Sequence, residues 1–152
     1  PEQLTSDHGW HVGTAAERLR PIIDQLHDTG ARVSLFMDPD VEQITRAADL
    51  GVERVELYTE SYARAFGLGG RSLTASLRLY ATAAQAARDA GLVVNAGHDL
   101  NRDNLPPFLQ HVNAVAEVSI GHALIADALE MGLPAAVRDY LRVIENVGLA
   151  VG

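Results

Sequence analysis

Three times along this chain a helical pattern stops at a glycine (Gly30, Gly51 and Gly91) and a short β-branched or apolar run begins. The runs are Arg32 to Met37 (RVSLFM), Arg54 to Tyr58 (RVELY) and Leu92 to Ala96 (LVVNA), and a fourth follows at Glu117 to Ile120 (EVSI). Amphipathic segments at about 14–29, 39–50, 72–90 and 101–113 alternate with them, and two more at about 122–131 and 134–147 come after the last run. Strands alternating with helices make βαβ units with right-handed crossovers and a parallel sheet. Two architectures fit: an open doubly wound sheet, or part of a (β/α)8 barrel. The chain opens on loop and helix and offers four strands, where a doubly wound domain of this size has about five. The pattern therefore predicts a barrel cut in the middle, a single partial domain over 1–152.

Composition narrows the function. At 152 residues and 47% hydrophobic the chain has material for one core. A formal charge of -8 without any basic run argues against nucleic acid or an anionic membrane as partner and leaves small metabolites. With no cysteine, disulfides, thiolate nucleophiles and cysteine-based metal sites are excluded, which suits a cytoplasmic protein. No apolar stretch reaches the roughly 18 residues needed to span a bilayer, and no signal-peptide pattern opens the chain, so it reads as soluble. All twelve basic residues are arginine, so no lysine can form a Schiff base, and any imine must use a substrate's own amine. The start at Pro1 and the loop-like PEQLTSDHGW suggest that an N-terminal part is missing.

In either architecture function sits in the loops after the strands' C-terminal ends. After the first, Asp38-Pro39-Asp40-Val41-Glu42 reads as plain capping, with Asp38 as N-cap and Pro39 at the first helical position. Glu56, between Val55 and Leu57, either faces the barrel interior or mouth, or sits at a solvated strand end or in an internal ion pair. Thr59 to Arg71 (TESYARAFGLGGR) lacks the Gly-Lys-Ser/Thr of a P-loop and reads first as a surface loop, then as a mobile cover or small extra helix. In VVNAGHD, Gly97 lets a ligand approach the backbone closely, and His98 is either an acid–base group or a loop histidine satisfied by a helix end. Ser119-Ile120-Gly121-His122 puts a glycine at a strand end and starts a helix at once, an anion site in outline. His8, His11, His27 and His111 fall in no metal-ligand spacing, so no metal is expected. The apolar side chains of Val33, Leu35, Val55, Leu57, Val93 and Val118 are expected to meet residues of the other half of a closed barrel, exposed without it.

Taken together, QLTSDHGW, GARVSLFMDPD, RVELYTESYA, GLVVNAGHDL and VSIGHALIADAL resemble the C-terminal part of the pyridoxine 5′-phosphate synthase family, in consistent order over nearly the whole chain. The resemblance implies an α/β fold, the C-terminal half of a (β/α)8 TIM barrel, in a cytoplasmic octamer without a cofactor. It implies condensation of 3-amino-2-oxopropyl phosphate with 1-deoxy-D-xylulose 5-phosphate to give pyridoxine 5′-phosphate, phosphate and water. Carried over by motif, His98 matches the family's proton donor, Gly121 and His122 match phosphate-binding positions, Thr5 a substrate-contacting threonine and Glu56 a carboxylate facing the site. Asp99 stands where a ligand-binding glycine is usual, and Tyr58 and Glu60 replace the His and Gly of an HTG motif. The family's Asp-His pair, second histidine and general-base glutamate belong to its first half, so this chain by itself is expected to be inactive. The alternative is a non-catalytic half-barrel that binds an anion or associates with itself.

Overall fold

The computed structural model describes residues 7–147. Its elements run α1 (Val12–Asp28), β1 (Ser34–Met37), α2 (Val41–Ala48), β2 (Arg54–Tyr58), α3 (Glu60–Leu68), α4 (Gly70–Asp89), β3 (Val93–Gly97), α5 (Leu105–His111), β4 (Val115–Ser119), α6 (His122–Met131) and α7 (Leu133–Asn146). The four strands are parallel and neighbour one another in chain order, β1-β2-β3-β4. A strand order that never reverses has no switch point, so the sheet is not doubly wound. With right-handed crossovers it carries its helices on one face, the arrangement of part of a (β/α)8 barrel.

The glycine stops work as the sequence suggests. At Gly91 φ is +83°, and the amides of Gly91 and Leu92 donate back to Arg88 and Ala87 at 2.9 Å, closing the end of α4 and releasing the chain into β3. The amides of Gly30 and Ala31 repeat the pair of bonds at the end of α1.

The core lies between the sheet and its helices. Leu35 and Met37 of β1, Val55 and Leu57 of β2, and Val94 and Ala96 of β3 are buried there with Ile44, Tyr80 and Phe108. Each such large side chain is worth about 1.5–3 kcal/mol against exposure. This corrects the expectation about the strand side chains. Val33, Leu35, Val55 and Leu57 meet this chain's own helices, at 0–7% exposure, and Val118 packs against the same core. Only Val93 of the six belongs to the other face, where it is 38% exposed.

That open face is largely polar. The register sets Phe36, Glu56, Asn95 and Glu117 in one row across the four strands. Arg54 reaches along it, its Nη1 donating to Asn95 Oδ1 at 3.2 Å and Glu117 Oε2 at 3.0 Å.

Three local readings also change. The stretch 59–71 is not a surface loop but holds the small extra helix, α3, ahead of the start of α4 at Gly70, with Tyr62 and Ala65 buried and Tyr62 packing 4.8 Å from the Phe108 ring and 6.1 Å from Tyr80. The cap of α2 is Asp40, which accepts the Gln43 amide at 3.1 Å, so the helix starts at Val41 and Asp38 lies before it. The fourth strand begins at Val115, with a register irregularity where it meets Val94 and Asn95, and the helix before it begins only at Leu105.

Candidate active site at the strand ends

The loops after β3 and β4 bring together most of the residues singled out by sequence. After β3 the backbone is strained: φ is +91° at His98 and +57° at Asp99. Non-glycine residues in this region cost of order 1–3 kcal/mol each unless their surroundings hold them. Here they are held. The buried Thr59 hydroxyl donates to the carbonyls of Gly97, at 2.7 Å, and His98. The buried Asn104 side-chain amide donates to Asp99 O at 2.9 Å and accepts from the Asn101 amide at 2.8 Å. The Tyr62 hydroxyl in turn donates to Asn104 O at 2.6 Å. Bonds of this kind, at about 0.5–1.5 kcal/mol each, are of the size needed to offset the strain.

The constraint fixes the His98 ring. Tyr58 meets it edge-on, with centroids 4.8 Å apart, and Tyr58 is itself backed by Phe36 at 5.1 Å. Nδ1 of His98 is buried without a hydrogen-bond partner. Asp99 Oδ2 is 3.4 Å away, close enough for attraction when the ring is charged but out of line for a hydrogen bond. A buried polar atom left unpaired on a strained backbone is a feature of functional sites rather than of ordinary packing.

His98 and Asp99 line an open cleft of about 880 Å³ together with Ser119, Gly121 and His122. Glu60 and Arg64 of α3, paired at 3.1 Å, line it from the other side. Gly121 precedes α6, whose first turn carries no acidic side chain and no side-chain cap. A Cβ at Gly121 would meet nothing within 4 Å, so the space beside its backbone is open. The first N–H groups of a helix have no partner within it and carry the positive end of its dipole, so an anion is the natural occupant.

Glu56 lies on the open face, away from the helices. Burial is the main cause that raises its carboxyl above the ordinary 4.5, the Glu117 charge adds to it, and a bond from Ser119 opposes both. What approaches Gly97 most closely is this carboxylate and not empty ligand space. A second hollow of about 540 Å³ joins Glu56 to His8, His11 and Phe36. Thr5 lies outside the described residues. Sequence reasoning missed Thr59 and Asn104, whose roles are in backbone hydrogen bonding that no motif announces. Among the described residues no group of three or more His, Asp or Glu gathers as a metal site, and no helix is long and apolar enough to cross a membrane.

Residues 1–146 match the family described as "Pyridoxal phosphate biosynthesis protein PdxJ". The chain belongs to this family. Among its curated relatives, the pyridoxine 5′-phosphate synthase of Albidiferax ferrireducens is 58% identical over 142 residues, covering 93% of this chain and 56% of that protein. The protein of the same name from Xylella fastidiosa strain 9a5c is 49% identical over 150 residues, covering 99% of this chain and 57% of the other. That of Porphyromonas gingivalis is 45% identical over 140 residues, with 92% and 58% covered. The chain thus spans little more than half the length of these family members. The stretches VNAGHD and SIGHAL, on which the sequence resemblance rests, end at this cleft.

Proposed function

We propose that this chain supplies the proton-donor and phosphate-binding part of a pyridoxine 5′-phosphate synthase, which condenses 3-amino-2-oxopropyl phosphate with 1-deoxy-D-xylulose 5-phosphate. The products are pyridoxine 5′-phosphate, inorganic phosphate and water. One observation carries the reading: His98 and the uncapped start of α6 share a single cleft. A substrate or product phosphate sits on the Gly121 and His122 backbone, which directs the rest of the molecule toward His98. His98 acts as general acid, giving a proton to the oxygen that leaves as water while the amine of one substrate adds to the carbonyl of the other. The lack of any lysine agrees with an imine formed between substrates. Asp99, Glu56 and Thr5 are assigned to substrate contact. A second half-barrel supplies the opposing acid–base groups, and the assembled protein is a homo-oligomer in the cytoplasm.

The test is an assay of pyridoxine 5′-phosphate formation by the chain joined to the first half of a relative. Replacing His98 with Asn should lower turnover by about 10²-fold or more with the fold intact. Unchanged turnover would remove His98 from the chemistry.

A second reading, an anion-binding module that associates with itself, draws on α6. This helix buries none of its residues and leaves Ile125 and Leu129 58% and 85% exposed. The same assay separates the two, since the module would never turn over, whatever half-barrel is added.

A further inference from the structure

We infer that Arg102 is a positioning residue, a strut that sets α6, and with it the Gly121–His122 backbone, against the loop that carries His98. Its meaning for function rests on the phosphate reading above. Arg102 follows His98 by four residues in the loop after β3. Its Nη2 donates to Asp127 Oδ1 in the middle of α6 at 2.8 Å, and its Nη1 reaches Asp139 Oδ2 on α7 at 3.5 Å. The second oxygen of Asp127 accepts the Tyr140 hydroxyl at 2.9 Å. One guanidinium therefore joins the His98 loop to both closing helices.

The placement matters because apolar packing holds α6 only in part: it lies along α7 and Leu124 packs part-buried against the core, but none of its side chains is fully buried. By contrast, α7 buries Ala136 and Tyr140. The polar tie between α6 and the His98 loop is the Asp127 carboxylate. That side chain is only 18% exposed, and its Arg102 partner is 34% exposed. A pair this shielded is screened less by salt than a surface pair. The planar guanidinium, with donors on two sides, also fixes a direction that a lysine would not. A shift of α6 would carry the anion site away from His98 without touching either.

The experiment uses the 152-residue chain, inorganic phosphate as probe, and amide hydrogen exchange and amide shifts as readouts. Arg102→Met should speed exchange along α6 by about tenfold with α1 to α4 unchanged. It should also weaken phosphate binding, read at the amides of residues 121–123, by about fivefold or more. Asp127→Asn, which keeps shape and the Tyr140 bond, should move both in the same direction. Tyr140→Phe removes the neighbouring bond and keeps the strut, so its phosphate affinity should stay within about twofold of the parent. Equal weakening in all three variants would mean a general loosening of α6 and α7 and would overturn the strut. Parental exchange and affinity in Arg102→Met overturn the proposal. If phosphate moves no amide at 121–123 in the parent chain, the anion reading falls, and α6 exchange in Arg102→Met and Asp127→Asn decides the strut by itself.

Discussion

A methyl group on Gly97 would lie 2.3 Å from Oε1 of Glu56. The glycine on β3 and the carboxylate on β2 are thus two parts of one feature: the missing side chain makes the room in which Glu56 is half-buried. Gly97→Ala should force the carboxylate out and cost about 1–3 kcal/mol, the usual range for overpacking. Urea denaturation measures it. A loss under about 0.5 kcal/mol would mean that Glu56 moves aside freely.

Two glutamates give opposite pH dependences. Glu56 is raised above 4.5, mainly by burial. Its folded form holds the proton more tightly than the unfolded chain, so its contribution is complete at low pH and falls as pH rises from 4.5 through the folded value. Glu53 is lowered below 4.5, first by the Val33 amide that donates to it at 2.8 Å and then by His27. Its contribution is present above 4.5 and is lost as pH falls through the folded value. Stability measured from about pH 3 to 7 should therefore lose its decline above 4.5 in Glu56→Gln and its acid-side loss in Glu53→Gln. Parallel curves for the parent and both variants would show that neither group is perturbed.

Asp99 combines a positive φ with a negative charge in a cleft assigned to an anion. Asp99→Gly relieves the backbone but frees the unfolded chain, so stability should change by less than about 1 kcal/mol. Removing the charge should tighten phosphate binding, most clearly at low salt. Weaker binding would mean that Asp99 orients His98 rather than opposing the ligand.

The alternation of strands and helices was legible because the glycine stops are local, each set by a positive φ that side chains avoid. The joint placement of His98 and Gly121 was legible too, since βα topology puts every such loop at one end of the sheet. Helix α3 was hidden. Gly67 within it and Gly69 at its end read as loop, and the packing of Tyr62 on Tyr80 and Phe108, distant in sequence, outweighs them. The sense of the strands was half legible: period-two alternation separates Val55 and Leu57 from Glu56 but does not say which side the helices cover. The strut from Arg102 to Asp127 was not legible at all, because nothing local marks two charges 25 residues apart as partners.

The same reversal of faces changes what the isolated chain should do. Had Val33, Leu35, Val55 and Leu57 faced another half-barrel, the chain without it would expose a core's worth of apolar surface. Those residues are buried in one cluster with side chains of this chain's own helices, and the open face shows Arg54, Glu56, Asn95 and Glu117. Polar groups there cost little in water, whereas Ile125, Leu129 and Leu133 are 58%, 85% and 53% exposed and β1 and β4 are the edges of the described sheet. The chain should therefore unfold in one cooperative transition yet sediment as an oligomer, the exposed apolar surface and unpaired edges driving association. Ile125→Lys with Leu129→Lys should shift it toward monomer without lowering its stability by more than about 1 kcal/mol, since neither side chain is buried. Turnover should be absent until the first half of a relative is supplied, because the general-acid role proposed for His98 needs a base on the facing side of the cleft. A non-cooperative melt would show that the core is not self-sufficient. Turnover by the chain unaided would show that the groups needed for the chemistry are all within these 152 residues.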